Sequence, residues 1–348
     1  MRAAIFRQPG KPLEIDTLAD PTPGPGELIL KVEACGICGS DLHISDNHDG
    51  SGGMPPLKPD TVMGHEFCGE IVAVGPGNES GLKEGQRVTA LPTIGCGTCA
   101  ACITGDIRRC ADARGIGLGN VPGGYAEYVR VGARESLLLP GHFGKGEGAL
   151  IEPLAVGLRA AVRARLQPGE HVLIVGGGPV GLATAIWCRH FGARHVVVSD
   201  LNANRAAMAA RFGATEAIDA SKENVIERYK QIAGSRPDVV FDCVGVPGSM
   251  QLCIDYAAFD RRVVVVGVCM HLDSILPVKP VTKELDLIFA FCYLRQEFGL
   301  CIEMLDQGRI EAEDLITDRV GFNDFSAAFE ALKTPNTQVK VMLEPDRA

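Results

Sequence analysis

Short apolar runs alternate with helical segments throughout the second half of this chain, and this alternation restricts the possible folds more than any other feature. The runs, rich in Val and Ile, are predicted as strands at residues 171–175, 194–199, 217–219, 238–242 and 262–266. The helices predicted between them lie at residues 179–191, 202–212, 222–233 and 248–257. Apolar strands separated by helices predict a parallel sheet covered on both faces, the doubly wound α/β arrangement.

A glycine-rich loop joins the first of these strands to the first helix. It reads Gly176-Gly177-Gly178-Pro179-Val180-Gly181, which is the Gly-x-Gly-x-x-Gly pattern of a dinucleotide site. Such a loop turns tightly and lets a pyrophosphate approach the helix N-terminus. Asp200, at the end of the next strand, can accept hydrogen bonds from both adenosine ribose hydroxyls and would repel a 2′-phosphate, which predicts NAD over NADP. The alternative is a structural turn in which Asp200 caps a helix.

Further cofactor contacts are predicted at the carboxyl ends of neighbouring strands, where an open parallel sheet binds its ligand. One strand is followed by Cys243, Val244 and Gly245, and the next ends at Val266 with Val268 close behind. Arg205, five positions after Asp200, would contact a phosphate if its side chain turned inward. A solvated position on the helix is the alternative for Arg205.

The first part of the chain has a different texture. Gly and Pro interrupt short alternating apolar runs at residues 27–33, 69–74 and 86–90, which predicts an irregular, mostly β domain with antiparallel strands. A helix predicted at residues 155–166 opens the second domain, and the apolar strand at residues 339–343 is expected to return to the first. The predicted domains are therefore residues 1–152 with 294–348, and residues 153–293, which suits a length of 348 residues.

The overall charge and cysteine usage exclude several kinds of partner. A formal net charge of −9 argues against nucleic acid and anionic membranes, which select basic patches. The sequence has neither a signal-peptide core near Met1 nor an apolar run of roughly 18 residues, so we expect no export and no membrane span. Thirteen cysteines in such a chain predict a reducing compartment, the cytoplasm, with thiols free or bound to metal.

Four of these cysteines lie close together in a loop with few large apolar residues. They are Cys96, Cys99, Cys102 and Cys110, in the spacing Cys-x-x-Cys-x-x-Cys followed by a fourth. Four converging thiolates predict a closed, tetrahedral structural zinc site. An iron–sulfur cluster and coincidental free thiols are the alternatives.

A second set of candidate ligands is dispersed along the chain. It consists of Cys38, His65, Glu66 and Glu152. One thiolate, one imidazole and one or two carboxylates suit a catalytic zinc, which keeps a position open for substrate or water. Taken singly, each of these residues is more often structural than a ligand.

The motifs together resemble the zinc-containing medium-chain dehydrogenase/reductase family over essentially the whole length, with the closest likeness to its polyol, threonine and butanediol dehydrogenase branch. The matching segments are Gly36-Ile37-Cys38-Gly39-Ser40-Asp41-x-His43, Gly64-His65-Glu66, the four-cysteine loop, Glu152-Pro153-Leu154-Ala155-Val156 and the glycine loop. The resemblance implies a GroES-like catalytic domain joined to a Rossmann domain. It also implies that Cys38, His65 and Glu152 hold the catalytic zinc, with Glu66 as an exchanging ligand or a close neighbour.

The same resemblance implies the reaction, which is reversible hydride transfer between an alcohol and NAD. Zinc acts on the alcohol as a Lewis acid, Ser40 accepts its proton, and His43 releases the proton to water. A turn-capping Ser40 and a packed His43 are the alternatives. Lys340 matches a basic position of the family that can approach the cofactor pyrophosphate. Family members are dimers or tetramers, and a homo-tetramer is expected, with a homodimer as the alternative.

The substrate prediction depends on Phe291-Cys292-Tyr293, which stands where sorbitol-type relatives carry Phe-Arg-Tyr. Loss of that arginine removes a five-donor group suited to hydroxyl-rich substrates, and residues 287–291 are apolar. Residues 44–60 also lack the substrate-facing tyrosine expected of a polyol site. We therefore expect a less polar secondary alcohol or ketone, with a polyol as the alternative. The intact ligand set and Asp200 argue against two other classes, an NAD-binding sensor without turnover and a zinc-free quinone reductase.

Overall fold

The computed structural model describes residues 1–47, 56–334 and 337–347. Short strands dominate its first part: β1 Arg2–Phe6, β2 Glu14–Thr17, β3 Glu27–Gly36, β4 Thr61–Val62, β5 Glu66–Val74, β6 Arg87–Ala90, β7 Thr93–Ile94, β8 Arg114–Gly115, β9 Tyr128–Gly132 and β10 Ser136–Leu138. Helices of this part are α1 Gly39–Ser45, α2 Ala100–Ile103 and α3 Glu147–Arg163, with a 3-10 helix at Ile107–Arg109.

Strands and helices alternate in the second part. The strands are β11 His171–Val175, β12 His195–Asp200, β13 Glu216–Asp219, β14 Val239–Asp242, β15 Arg262–Val265, β16 Asp286–Phe289, β17 Ile316–Val320 and β18 Lys340–Leu343. The helices are α4 Pro179–His190, α5 Ala203–Met208, α6 Val225–Ala233, α7 Ser249–Tyr256, α8 Val278–Thr282, α9 Arg295–Asp306 and α10 Phe322–Ala331, with 3-10 helices at Ala209–Phe212 and Glu313–Leu315.

The predicted parallel sheet is confirmed. Its strand order is β13-β12-β11-β14-β15-β16, and every neighbouring pair is parallel. The order reverses between β11 and β14, which makes the carboxyl ends of these two strands the point where such a sheet binds a ligand. The edge strand β16 was not predicted as a strand. It lies at the edge of the sheet and is partly exposed, and the apolar run at residues 287–291 was interpreted as part of the substrate pocket instead of a strand.

The first part forms a mostly antiparallel sheet that the end of the chain completes. Its order is β10-β6-β5-β3-β18-β17, with β9 also paired to β3. Strand β18 lies antiparallel to β3, with Met342 opposite Gly36. The prediction that the final strand returns to the first domain is therefore confirmed, and so is the fold class of a GroES-like β domain with a Rossmann sheet.

Helix α3 begins earlier than predicted and crosses the proposed boundary between residues 152 and 153. Pro153 lies inside this helix, where it removes one backbone hydrogen bond. Packing offsets the loss, because α3 is buried along most of its length and lies against α4. A Cβ on Gly157 would come within 2.5 Å of the Ala183 carbonyl carbon, and Trp187 Nε1 donates to the Leu154 carbonyl at 2.8 Å. The helix thus joins the two parts of the chain and carries Glu152 between them.

In residues 1–47, 56–334 and 337–347, no helix combines the length and the apolar character needed to cross a membrane.

Candidate active site

Strand pairing brings the dispersed ligand candidates together. Strand β3 ends at Gly36, which is paired with Glu66 at the start of β5. Cys38, two residues after β3, therefore lies beside His65, which precedes β5. The Sγ of Cys38, a ring nitrogen of His65 and a carboxylate oxygen of Glu66 all lie within 4.8 Å of one another.

Cys38 is fixed by the helix that follows it. It is the N-cap residue of α1, and its backbone N–H donates to Asp41 Oδ2 at 3.0 Å. The same Asp41 oxygen accepts a hydrogen bond from the Tyr125 hydroxyl at 2.5 Å. This Cys-x-x-Asp capping arrangement orients the first turn of α1 and buries the Asp41 carboxylate completely.

Asp41 also determines which nitrogen of His65 is left for a metal. Its Oδ1 lies 3.2 Å from His65 Nδ1, so Nε2 remains as the nitrogen that can bind an ion. Burial disfavours a charged imidazole, yet Asp41 and Cys38 raise the pKa of His65 well above its ordinary value. The site therefore attracts positive charge, and a metal ion would replace the proton. Sulfur, imidazole and carboxylate together form a donor set that suits zinc.

Lys340 joins this site through Glu66, and the approach of its side chain to the cofactor pyrophosphate stays a prediction. Its Nζ lies 2.7 and 2.6 Å from the two Glu66 oxygens and donates to the Ile37 carbonyl at 2.9 Å. A buried ammonium needs a countercharge, and Glu66 supplies it, keeping the pKa of Lys340 above its ordinary value against the opposing effect of burial. Gly36 makes room for the pair, since a Cβ there would overlap Glu66 Oε2.

Glu152 approaches the same cluster from α3. Its carboxylate is 7% exposed and contacts the Tyr293 hydroxyl. Burial raises the pKa of Glu152 to about 7, and Glu66 acts in the same direction while His65 opposes it. These mutual effects indicate that Glu152 shares one electrostatic environment with His65 and Glu66.

The two residues predicted to carry protons lie on α1. Ser40 is half buried, two residues after Cys38, and His43 lies one turn further on and is exposed. The order from the half-buried Cys38 to the exposed imidazole of His43 follows the axis of the helix. Their arrangement fits the predicted path from the site to water.

The four-cysteine loop converges as its spacing predicted. One ligand atom from each of Cys96, Cys99, Cys102 and Cys110 lies within 4.8 Å of the others. Neighbouring backbone also shapes the group, because Cys99 N–H donates to Cys96 Sγ at 3.4 Å and Cys96 N–H donates to Cys110 Sγ at 3.5 Å. Four sulfurs in this arrangement fit a structural zinc ion.

The glycine loop has the geometry that a pyrophosphate needs. Gly176 has a φ of +101°, which favours glycine, and a Cβ on Gly181 would overlap the Gly176 carbonyl oxygen. Gly178 is the N-cap of α4, Pro179 and Val180 form its first turn, and a Cβ on Gly178 would meet no atom within 4 Å. The helix N-terminus therefore faces open space beside the carboxyl end of β11.

Asp200 ends β12 beside this loop. Its Oδ2 accepts from the Gly177 N–H and its Oδ1 from the Asn202 N–H, both at 2.7 Å. Each oxygen keeps a further acceptor site for a ribose hydroxyl. Arg205 is half buried on α5, and its carbonyl oxygen lies near Gly177.

The remaining predicted cofactor residues lie at the carboxyl ends of β14 and β15. Cys243, Val244 and Gly245 follow β14, while Val266 and Val268 follow β15. A buried residue missed in the sequence, Asp242, organises this edge. It accepts hydrogen bonds from Val244 N–H at 3.1 Å and from Ser249 Oγ at 2.6 Å.

Comparisons with known proteins identify the class. The family model of the alcohol dehydrogenase GroES-like domain matches residues 24–141, and that of the zinc-binding dehydrogenase domain matches residues 179–307. The chain is 33% identical to a sorbitol dehydrogenase of Bacillus subtilis over 100% of its own length and 98% of that protein. It is 32% identical to an L-threonine 3-dehydrogenase of Aeromonas hydrophila, covering 94% of each.

A solved structure extends the likeness to the fold. A protein described as a zinc-binding dehydrogenase of Sinorhizobium meliloti, bound to NADP, superposes with a TM-score of 0.86 at 31% identity, covering 99% of both chains. The chain belongs to the zinc-containing medium-chain dehydrogenase/reductase family, in its polyol and threonine dehydrogenase branch. It is accordingly an alcohol oxidoreductase.

Some functional residues were not found from the sequence. Asp41, Tyr125 and Asp242 hold other side chains and do not themselves belong to any ligand spacing. Only Asp41 left a signal, because it stands three residues after Cys38, which is the spacing between an N-cap residue and the acid of a capping box. Residues 48–55 of the segment used for the substrate prediction lie outside the described residues.

Proposed function

We propose that this protein is a zinc-dependent, NAD-linked dehydrogenase that interconverts a secondary alcohol and a ketone. The observation that carries the proposal is the convergence of Cys38, His65 and Glu66 within 4.8 Å, with Glu152 in the same electrostatic environment. An open dinucleotide loop at the switch point of the sheet offers a binding place for the cofactor that accepts or donates the hydride. The separate group of four cysteines, at positions 96, 99, 102 and 110, would hold a structural zinc ion.

In this proposal Cys38, His65 and Glu152 hold the catalytic zinc. Bound zinc supplies Lewis acidity that lowers the pKa of the alcohol. Glu66 acts as an exchanging ligand or as a close neighbour of the metal, and Lys340 holds its carboxylate in place. Asp41 fixes the tautomer of His65, and the hydroxyl of Ser40 accepts the alcohol proton and passes it toward His43 at the surface.

NAD is the proposed cofactor because Asp200 offers a carboxylate at the ribose position. A 2′-phosphate there would face the negative charge of Asp200. Because the relative from Sinorhizobium meliloti is bound to NADP, the preference of this chain for NAD or NADP is to be measured directly. Initial rates with NAD and NADP, each at saturating alcohol, should differ by at least about tenfold in kcat/KM.

The substrate class is inferred from residues 291–294, which form a wall of the candidate active site. The thiol of Cys292 and the ring of Tyr293 stand beside Glu152, and the chain offers no arginine within residues 287–294 to bind several hydroxyls. These features favour a secondary alcohol of moderate polarity. A polyol substrate is the second candidate, favoured by the identity with a sorbitol dehydrogenase over the full chain.

The test measures NADH formation with a panel of secondary alcohols, primary alcohols and polyols, before and after chelation. We expect turnover that chelation abolishes and zinc restores, with secondary alcohols preferred. The variant Cys38→Ser should lose turnover and one zinc ion per chain, whereas Cys35→Ser, which changes a buried thiol three residues earlier on β3, should keep both. Chelator-resistant turnover, or full activity of Cys38→Ser, would contradict the catalytic zinc assignment.

We propose that the chain assembles as a homo-oligomer, a tetramer built from dimers. Large apolar side chains with more than half of their surface exposed occur repeatedly near the edge strand β16; they include Val268, Leu272, Val281, Phe289 and Phe291. A second copy would cover this surface. Light scattering after gel filtration should give four chains per particle, and Leu272→Asp combined with Phe289→Asp should reduce that number. A reducing compartment such as the cytoplasm suits the four thiolates of the structural site.

A further inference from the structure

The segment of residues 291–294 forms a wall of the candidate active site. Tyr293 is buried and its hydroxyl contacts Glu152. Cys292 has a φ of +49°, a strained value for a residue with a side chain, and its thiol lies within electrostatic reach of Glu152 and His65. A strained backbone persists only where its surroundings hold it in place.

Two contacts hold the ends of this wall. At one end, the Leu294 N–H donates to Glu297 Oε2 at 2.6 Å, and Glu297 Oε1 accepts from Arg159 Nη1 at 3.1 Å. Arg159 lies on α3, the helix that carries Glu152. At the other end, Arg108 Nη1 donates to the Phe291 carbonyl oxygen at 2.8 Å.

Arg108 reaches the wall from the four-cysteine loop. It lies in the 3-10 helix Ile107–Arg109, between Cys102 and Cys110. Its Nε and Nη2 donate to the two Asp106 oxygens at 2.7 and 2.9 Å, so the planar guanidinium is fixed while Nη1 points to Phe291. The side chain is 15% exposed, whereas that of neighbouring Arg109 is 80% exposed.

We propose that Arg108 is a positioning residue for alcohol binding. Through the Phe291 carbonyl it sets the backbone of residues 291–294, and thereby the places of Cys292 and Tyr293 beside Glu152. The four-cysteine loop thus shapes the substrate wall in addition to stabilising the fold. This proposal rests on the proposed dehydrogenase function for its kinetic consequence, but its structural consequence can be measured without turnover.

The kinetic test compares Arg108→Ala with Arg109→Ala, which removes an arginine of the same helix that also pairs with Asp106. We expect Arg108→Ala to raise the alcohol KM by about tenfold, the effect of one charge-assisted hydrogen bond, with the NAD KM unchanged and kcat within threefold. Arg109→Ala should resemble the wild type in all three constants. Equal alcohol KM values for the two variants would overturn the proposal.

The conservative variant Arg108→Lys separates charge from shape. Lysine keeps the positive charge but cannot hold both Asp106 oxygens and the Phe291 carbonyl at once, so we expect an alcohol KM between those of the wild type and Arg108→Ala. In a double-mutant cycle, Asp106→Ala should add nothing to Arg108→Ala, because Asp106 acts on the wall only through the guanidinium. If the effects of Asp106→Ala and Arg108→Ala on the alcohol KM were fully additive, Asp106 would act on the wall independently of Arg108, contrary to the proposal.

A readout without turnover keeps this proposal distinct from the proposed function. The alkylation rate of Cys292 by iodoacetamide, followed by peptide mass spectrometry with Cys269 as internal reference, should rise at least threefold in Arg108→Ala and not in Arg109→Ala. If the wild type turns over no alcohol, the proposed function fails and this rate alone decides. An unchanged rate overturns the proposal, and so does loss of zinc from Arg108→Ala with retention in Arg109→Ala, which would make Arg108 a stabiliser of its own loop.

Discussion

Lys340 Nζ lies 2.6 Å from Glu66 Oε2, and each of the two side chains is 1% exposed. The pair joins the last strand, β18, to the start of β5, across 274 positions of sequence. Two charges removed from water are stable only together, so each residue depends on the other. The same contact keeps Glu66 beside the metal-binding group.

The variant Lys340→Met should therefore lower the free energy of unfolding by about 3–5 kcal/mol, because it leaves Glu66 buried without a countercharge. Urea denaturation followed by circular dichroism measures this loss. As a control, Lys145→Met removes an exposed partner of Asp346 and should lose no more than about 1 kcal/mol. Glu66→Gln added to Lys340→Met should recover part of the stability. Similar losses for Lys340→Met and Lys145→Met would contradict the importance of the buried pair.

Asp200 should decide which cofactor the protein uses. Replacing Asp200 with Ala removes both acceptors for the ribose hydroxyls and the charge that repels a 2′-phosphate, so the ratio of kcat/KM for NAD over NADP should fall by at least about tenfold. Initial rates with both cofactors measure the ratio. Asp219→Asn, which changes the acid at the end of the neighbouring strand β13, should leave it unchanged. An unaltered ratio for Asp200→Ala would contradict the ribose assignment.

The parallel sheet could be predicted because its central strands are apolar on both faces, a pattern visible within each segment. The prediction missed the edge strand Asp286–Phe289, because a short apolar run of this kind does not by itself distinguish a strand from the lining of a pocket. It also began α3 too late, because the local penalty of Pro153 is offset by packing against α4, which no local pattern reveals.

For the active site, too, the features set by local sequence could be predicted and those set by long-range contacts could not. Cys96, Cys99, Cys102 and Cys110 are neighbours in sequence, so their spacing sufficed to predict that they converge. The position of Lys340 depends on the pairing of β18 with β3, and its contact with Glu66 could not be inferred from either segment alone. Long-range strand pairing therefore limited the prediction of the active site more than residue chemistry did.

Loss of one structural cysteine should remove one of two zinc ions. In Cys110→Ser the buried fourth sulfur is absent, and a loop with few large apolar residues cannot hold itself folded. Zinc content by plasma mass spectrometry should fall from two ions to one per chain, and the thermal midpoint should fall by roughly 10 °C. Cys269→Ser, whose thiol lies outside both metal-binding groups, should keep two ions and the wild-type midpoint. Retention of both ions by Cys110→Ser would contradict a four-sulfur site.

Two glycines of the dinucleotide loop should fail in different ways when each is replaced by alanine. A Cβ on Gly181 would overlap the Gly176 carbonyl oxygen, which is backbone and cannot turn aside. Gly181→Ala should therefore lower the free energy of unfolding by about 1–3 kcal/mol. A Cβ on Gly178 meets nothing within 4 Å, and the φ of −76° suits alanine. Gly178→Ala should lose less than about 1 kcal/mol.

The same two variants should also differ in the reason for which they bind the cofactor less tightly. In Gly178→Ala the protein stays folded, but the added methyl group occupies the space through which the pyrophosphate reaches the N-terminus of α4. Its Kd for NADH, from fluorescence titration, should rise by about tenfold or more while urea denaturation remains close to wild type. In Gly181→Ala any weaker binding should follow the loss of stability. Wild-type NADH affinity in a stable Gly178→Ala would mean that the pyrophosphate does not pass over Gly178, and the dinucleotide site would then lie elsewhere on this edge of the sheet.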